Sequence, residues 1–276
     1  MSTPAQGPLK PSELTALGPF RRLGREVHCF GEIDSTNQFV LAQADALRDG
    51  AIVAAEWQSA GRGRFARRWE APRGASILLT ILLIEPERSD VARLASLLGA
   101  VAACEAIREA TGCEAAVRWP NDVTIDGKKT AGVLSETRLL GARERRAIAL
   151  GIGVNCWQQA AHFPPELREK ATSLELCTAK PVSRSDVAAR LIRALDDLLW
   201  RAEQEGPEEP MARWRRLCGD IGRRVTLRAD GGTYQGVVLD VDAEGALLVQ
   251  LDVGGRLSFD AARTTRLWGD EHDQAS

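Results

Sequence analysis

The sequence predicts a mixed α/β fold, a sheet flanked by helices with a small all-β unit behind it, and three observations support this. Ser76–Ile84 (SILLTILLI) is nine residues of nearly continuous apolar, β-branched character, the pattern of a strand buried on both faces. Between Asp90 and Thr111 the apolar residues Leu94, Leu97, Leu98, Val101, Cys104 and Ile107 recur in steps of three or four, which makes a helix. Beyond residue 220 the pattern changes to short strands, with Gly231-Gly232, Glu244-Gly245 and Gly254-Gly255 as turns, the rhythm of a small antiparallel barrel.

In chain order, residues 1–24 are punctuated by Pro and Gly and read as a tail with one short helical turn. A helix follows Asp34-Ser35-Thr36, because a hydroxyl acceptor precedes Val40, Ala44 and Leu47 at helical spacing and Gly50 stops the run. Ala51–Trp57 is a short apolar strand. After the 90–111 helix, strands are expected at Val117–Trp119, Thr130–Glu136 and Arg146–Val154, with a hairpin turn at Asp126-Gly127. A second long helix spans about 185–204, with Val187, Leu191, Leu195, Leu198 and Leu199 on one face. Pro207 and Pro210 close it. The expected units are therefore a tail (1–24), a main domain (25–206), a linker helix (207–219) and a β domain (220–270).

The 276 residues carry 36 Lys and Arg against 38 Asp and Glu, a net charge of −2, so no global field favours nucleic acid or an acidic membrane surface. Any anion site must be local. Only five cations are lysines (Lys10, Lys128, Lys129, Lys170, Lys180), and two of these are adjacent. The six cysteines lack metal-ligand spacing and read as free thiols of a reducing compartment. No apolar stretch reaches membrane-spanning length and the N-terminus has no signal-like apolar core, so the expectation is a cytoplasmic protein without a membrane partner.

Five polar clusters fall at the ends of predicted elements. Gly61-Arg62-Gly63-Arg64-Phe65-Ala66-Arg67-Arg68 joins two glycines to four arginines with no acid. Gly61, Gly63 and Ala66 fit a dinucleotide fingerprint, but Trp69-Glu70-Ala71-Pro72 cannot open the helix which that motif needs. The cluster reads instead as a hinged loop able to close over an anion, against the plainer reading of a solvated basic loop. Gly127-Lys128-Lys129-Thr130 lacks the first P-loop glycine and precedes a strand, so it is no P-loop. Paired lysines after a turn are ordinarily solvated, yet Lys129 abuts Ala131-Gly132-Val133-Leu134 and is placed to meet a carboxylate or phosphate. Ser35-Thr36-Asn37, Arg118-Trp119-Pro120-Asn121-Asp122 and Gly151-Ile152-Gly153-Val154-Asn155 have ordinary readings as a cap, a turn and a bulge. His28, His162 and His272 show no triad spacing and read as structural, with His272 in a polar tail.

Taken in order, Asp34-Ser35-Thr36-Asn37-Gln38, Gln58-Ser59-Ala60-Gly61-Arg62-Gly63-Arg64, Arg68-Trp69, Arg118–Asp122, Lys128–Glu136, Gly151–Asn155 and Ala171-Thr172-Ser173-Leu174 resemble the biotin protein ligase family. The match covers residues 26–176, and 220–268 is similar to the family's SH3-like domain in rhythm. The resemblance implies a class II synthetase-like catalytic core with an SH3-like β-barrel behind it. It also implies ATP-dependent activation of biotin as biotinyl-5′-AMP, with Mg²⁺, followed by transfer to one lysine of a biotin carboxyl carrier domain of acetyl-CoA carboxylase or a related carboxylase.

The resemblance further implies a role for each residue. Ser35, Thr36, Asn37 and Gln58 would line the biotin pocket. Arg62, Gly63 and Arg64 would form the loop, with Arg64 near the biotin carboxyl and Arg67 reaching phosphates. Lys129 would bridge the carboxyl and the α-phosphate, Trp69 would lie near adenine, Asn121 and Asn155 would meet the nucleotide, and Asp122 would orient the metal. Three positions depart from the family pattern: Arg118 for a common Lys, Phe65-Ala66 for Arg-Gly, and Cys156 for an aliphatic residue. Because about 25 residues precede the match, the expected protein is the monofunctional form, without a DNA-binding domain, and the oligomeric state is open, with a homodimer among the options. The rival readings are a lipoate or octanoate ligase of the same fold, and a basic-loop nucleic-acid module without catalysis.

Overall fold

The computed structural model describes residues 7–86, 89–141 and 145–268. The principal sheet has seven strands: β1 (Val27–Phe30), β2 (Ile52–Ala55), β3 (Ser76–Pro86), β4 (Ala115–Arg118), β5 (Asp122–Ile125), β6 (Lys128–Leu140) and β7 (Arg145–Asn155). Their spatial order is β1-β2-β3-β7-β6-β5-β4. Of these neighbouring strands only β1 and β2 run parallel, so the sheet is mixed as expected. β3 sits centrally and is buried on both faces from Ser76 to Leu83, which its unbroken apolar run required. β1 and β5 were not anticipated. Both are four-residue segments carrying a His or an Asp, too short and too polar to register as strands without their partners.

Six α-helices among the described residues complete the fold: α1 (Pro11–Leu14), α2 (Thr36–Ala42), α3 (Asp90–Thr111), α4 (Leu174–Cys177), α5 (Arg184–Gln204) and α6 (Glu208–Leu217). α3 starts on the Ser89 cap and stops at Gly112 in the left-handed region, so its limits are those of its periodicity. α3 and α5 pack on each other and close one face of the sheet around the main core. α2 covers the other face over a smaller cluster that includes Val40, Val53, Leu82 and Ala149. It ends earlier than the apolar spacing suggested, because the chain turns after Ala42.

From residue 7 the expected tail is packed onto the protein. Leu9, Leu14 and Leu23 are buried in the main core. The carboxylate of Asp196, buried on α5, accepts the backbone N–H groups of Arg21, Arg22 and Leu23 at 2.7, 2.9 and 3.0 Å. His272 lies outside the described residues.

The C-terminal unit is a five-stranded antiparallel sheet of β8 (Arg224–Ala229), β9 (Gly232–Val241), β10 (Leu247–Leu251), β11 (Arg256–Phe259) and β12 (Thr264–Arg266), in the order β11-β10-β9-β8-β12. The expected barrel is not closed: among the described residues no ladder joins β11 to β12. Carbonyls that flank and include β12 (Ala261, Thr264, Leu267) instead accept arginine donors from the principal-sheet unit. An edge engaged in that way does not need a fifth pairing.

All six cysteines are free thiols. Burial pushes Cys104, Cys156 and Cys218 up to about 12.

Two outcomes are expected. Asp196→Ala strands three backbone donors and should lower the unfolding free energy by about 3 kcal/mol, read as a fall in the urea midpoint. Iodoacetamide at pH 8 should leave Cys104, Cys156 and Cys218 unmodified until denaturant is added, since their thiolates are scarce in the folded protein.

Candidate functional site

Every residue given a role by the resemblance lines one cavity of about 420 Å³: Ser35, Thr36, Asn37, Gln58, Arg62, Gly63, Arg64, Arg67, Trp69, Asn121, Asp122, Lys129 and Asn155. They come from the start of α2, the segment after β2, the β4–β5 turn and the facing stretches of β6 and β7. The sheet order separates the cavity into two ends. The β2 exit lies at one and the β4–β5 turn at the other, with β3, β7 and β6 between them, and α2 packs over β3 and β7.

The first end is a network of amide and hydroxyl groups that runs on to the Arg62–Glu136 ion pair. Ser35 caps α2, accepting the Gln38 N–H at 3.5 Å, and this turns Thr36 and Asn37 inward, where both are buried. The Gln58 side-chain oxygen accepts the Thr36 backbone N–H at 2.8 Å and its hydroxyl at 3.0 Å. The Thr80 hydroxyl of β3 lies 2.7 Å from the Thr36 hydroxyl and 2.6 Å from Asn37 Oδ1, with one proton to share between them. Asn37 Nδ2 donates to Glu136 at 3.0 Å, and Glu136 also pairs with Arg62 at 2.9 Å. Thr80 and Glu136 were not recognised from the sequence. Their connections cross three elements and leave no local spacing.

The cavity floor depends on two glycines of β7. A side-chain carbon on Gly151 would lie 2.2 Å from Asn37 Oδ1, and one on Gly153 would lie 2.6 Å from the Trp69 ring. The Gly-x-Gly pattern is thus a close-approach device rather than a bulge, and the β7 register runs unbroken against β3 and β6 there. Trp69 lies on this floor, with Lys129 Nζ 5.5 Å from its ring centroid. Its indole N–H is buried and meets no acceptor among the described residues, which leaves a donor for a bound group.

The other end is charged. Lys129 Nζ pairs with Asp122 at 2.5 Å, and Asn121 Nδ2 donates to the Val133 carbonyl at 2.6 Å. Arg64 Nη1 donates to Asn121 Oδ1 at 3.1 Å, while Nη2 donates to the carbonyls of Thr264, at 3.0 Å, and Ala261. Burial lowers the Arg64 pKa from its ordinary value, opposed by Asp122 and Asp260. Asn155 is held by the protein at both ends of its amide, donating to the Thr172 carbonyl at 3.0 Å and accepting from Gln158 at 2.8 Å.

The arginine loop is a closed turn, held by bonds from Gly63 N–H to the Arg67 carbonyl and from Trp69 N–H to the Gly61 carbonyl. Phe65 and Ala66 adopt φ of 55° and 58°, a left-handed conformation that costs L-residues energy. Sequence reasoning missed the contribution of Thr265, Arg266 and Trp268, which line the cavity from the C-terminal sheet. No periodicity or motif marks them.

Among the described residues no cluster of three His, Cys, Asp or Glu could hold a metal ion. The carboxylates that line the cavity are those of Glu70, Asp122 and Glu166, and Asp122 is the one paired with Lys129.

The chain matches the model of the biotin/lipoate A/B protein ligase family over residues 30–155 and that of the biotin protein ligase C-terminal domain over 220–263. It is 34% identical to the biotin--[acetyl-CoA-carboxylase] ligase of Mycobacterium tuberculosis, over 84% of this chain and 85% of that protein. It is 30% identical to the bifunctional ligase/repressor BirA of Escherichia coli, over 95% and 84%. Of the Bacillus subtilis bifunctional ligase/repressor, 32% identical, it spans 65% of the length. The biotin protein ligase of Aquifex aeolicus in complex with biotin and ATP has the same fold, with a TM-score of 0.76 and 24% identity over 88% of this chain and 99% of that one. By its fold, its two matched regions and these relatives, the chain belongs to the biotin protein ligase family.

Proposed function

We propose that this protein is an ATP-dependent biotin ligase that forms biotinyl-5′-AMP and transfers the biotinyl group to a lysine of a biotin carboxyl carrier domain. The observation that carries this reading is one cavity with the amide and hydroxyl network of Thr36, Asn37 and Gln58 at one end and Lys129, Asp122 and Arg64 at the other. A ureido ring needs paired donors and acceptors, which Thr36, Asn37 and Gln58 offer. A carboxylate approaching a triphosphate needs cations, which Lys129, Arg64 and Arg67 offer.

In the first step a biotin carboxylate oxygen attacks the α-phosphorus, the bond to the bridging oxygen breaks, and pyrophosphate leaves with the electron pair. Lys129 exchanges Asp122 for the carboxylate and α-phosphate oxygens, and so stabilises the charge that builds there. Arg64 exchanges its protein acceptors for phosphate oxygens, and Arg67 adds a third cation. Mg²⁺, held by Asp122 and phosphate oxygens, would neutralise part of the triphosphate charge when bound. In the second step the neutral amine of the carrier lysine attacks the acyl carbon, AMP departs and the amine loses a proton. The 61–69 loop excludes water from the anhydride between the two steps. Trp69 offers the adenine a face, and Asn121 and Asn155 shape the nucleotide wall.

Biotin-dependent pyrophosphate exchange, set beside lipoate and octanoate, tests the substrate. Exchange with biotin alone is expected, and exchange only with the others would replace this reading with an acyl ligase of the same fold. Lys129→Ala should cut exchange by about a hundredfold or more while the melting temperature holds, and wild-type-like exchange would remove the role given to Lys129. Gly153→Ala should push Trp69 off the floor and weaken binding of a non-hydrolysable ATP analogue in calorimetry, with Gly31→Ala, outside the cavity lining and with open space around it, as the folding control.

A further inference from the structure

The proposed reaction leaves one contact at the cavity's charged end without a role. β4 ends at Arg118, a buried residue whose guanidinium carbon lies 3.4 Å from the centroid of the Trp268 ring. Its Nη2 donates to the Leu267 carbonyl at 2.9 Å. Both residues line the cavity, and they join the two sheets across it. Arg118 also begins the turn that carries Asn121 and Asp122, the residues that hold Arg64 and Lys129. The same turn is tied to the C-terminal sheet by Trp119, whose Nε1 donates to the Gly245 carbonyl at 3.1 Å. Gln58 follows β2, on the other side of β3, β7 and β6, and Ser35, Thr36 and Asn37 sit at the start of α2, which packs over β3 and β7.

We propose that the Arg118–Trp268 stack is a positioning clamp for the nucleotide, which sets how tightly ATP, and not biotin, is held. The inference rests on the ligase reading. A guanidinium stacked on an indole has a fixed plane, and it can donate to the Leu267 carbonyl from its edge while its face lies on the ring. A lysine keeps the charge but has no face to stack, so Arg118→Lys isolates the geometry. Trp268→Phe keeps an aromatic face, and Trp268→Ala removes it.

The test is calorimetric titration of the full chain with α,β-methylene-ATP and, separately, with biotin, beside pyrophosphate exchange by the wild type. Arg118→Lys and Trp268→Ala should each weaken binding of the ATP analogue about tenfold and leave biotin binding unchanged, and Trp268→Phe should recover most of the loss. Unchanged binding of the analogue in both variants would overturn the clamp, as would equal losses for analogue and biotin, which mark general loosening. A wild-type protein that binds no analogue and shows no exchange overturns the ligase reading, and the clamp with it, in an arm that involves no variant.

Discussion

Asp220 and Arg266 form an ion pair at 2.9 Å with side-chain exposures of only 4% and 5%, and the far wall of the cavity hangs on it. The other Asp220 oxygen accepts the Trp119 backbone N–H at 2.8 Å, so one carboxylate holds both β12 and the turn at the end of β4. A buried pair contributes little net stability once desolvation is counted, but it specifies geometry, because any other register leaves a charge unpaired in a dry place. Here the geometry it specifies is the approach of two sheets that share no strand. Carbonyls at and just after β12, those of Thr264 and Leu267, accept donors from Arg64 and Arg118 where a closing strand would otherwise pair.

The charge balance of the whole chain, near zero, conceals how its cations are held. Lys129 rests on Asp122, Arg62 on Glu136 and Arg64 on main-chain carbonyls, so each of these three cations at the cavity already has a protein partner. Such partners keep like charges from repelling one another in a confined space, and a carboxylate or phosphate can replace them at modest cost because it offers the same kind of acceptor. Of the two adjacent lysines, Lys129 faces the cavity while Lys128 pairs with the exposed Glu169.

Local patterns carried much of this protein. The cap at Ser89, the stop at Gly112 and the steps of three and four between them delimit α3 without help from the rest of the chain, because helix bonds and capping bonds are made within a few residues. The nine apolar residues of β3 likewise announce a strand buried on both faces. Where the signal lay in a partner, it was invisible. β1 and β5 are strands only because β2, β4 and β6 complete their hydrogen bonds, and Glu136 matters only because Asn37 and Arg62, remote in sequence, converge on it.

What the sequence by itself determined was the set of polar clusters and their place at the ends of elements, since turns, caps and close-approach glycines are written in neighbouring residues. The tertiary structure decided which side chains face one another across the cavity. It made Gly153 a seat for Trp69, moved Arg64 onto the C-terminal sheet and brought Trp268 to Arg118 from the far end of the chain. Those contacts are set by strand order and by the docking of two sheets, which depend on burial over the whole chain and leave no mark on any short segment of it.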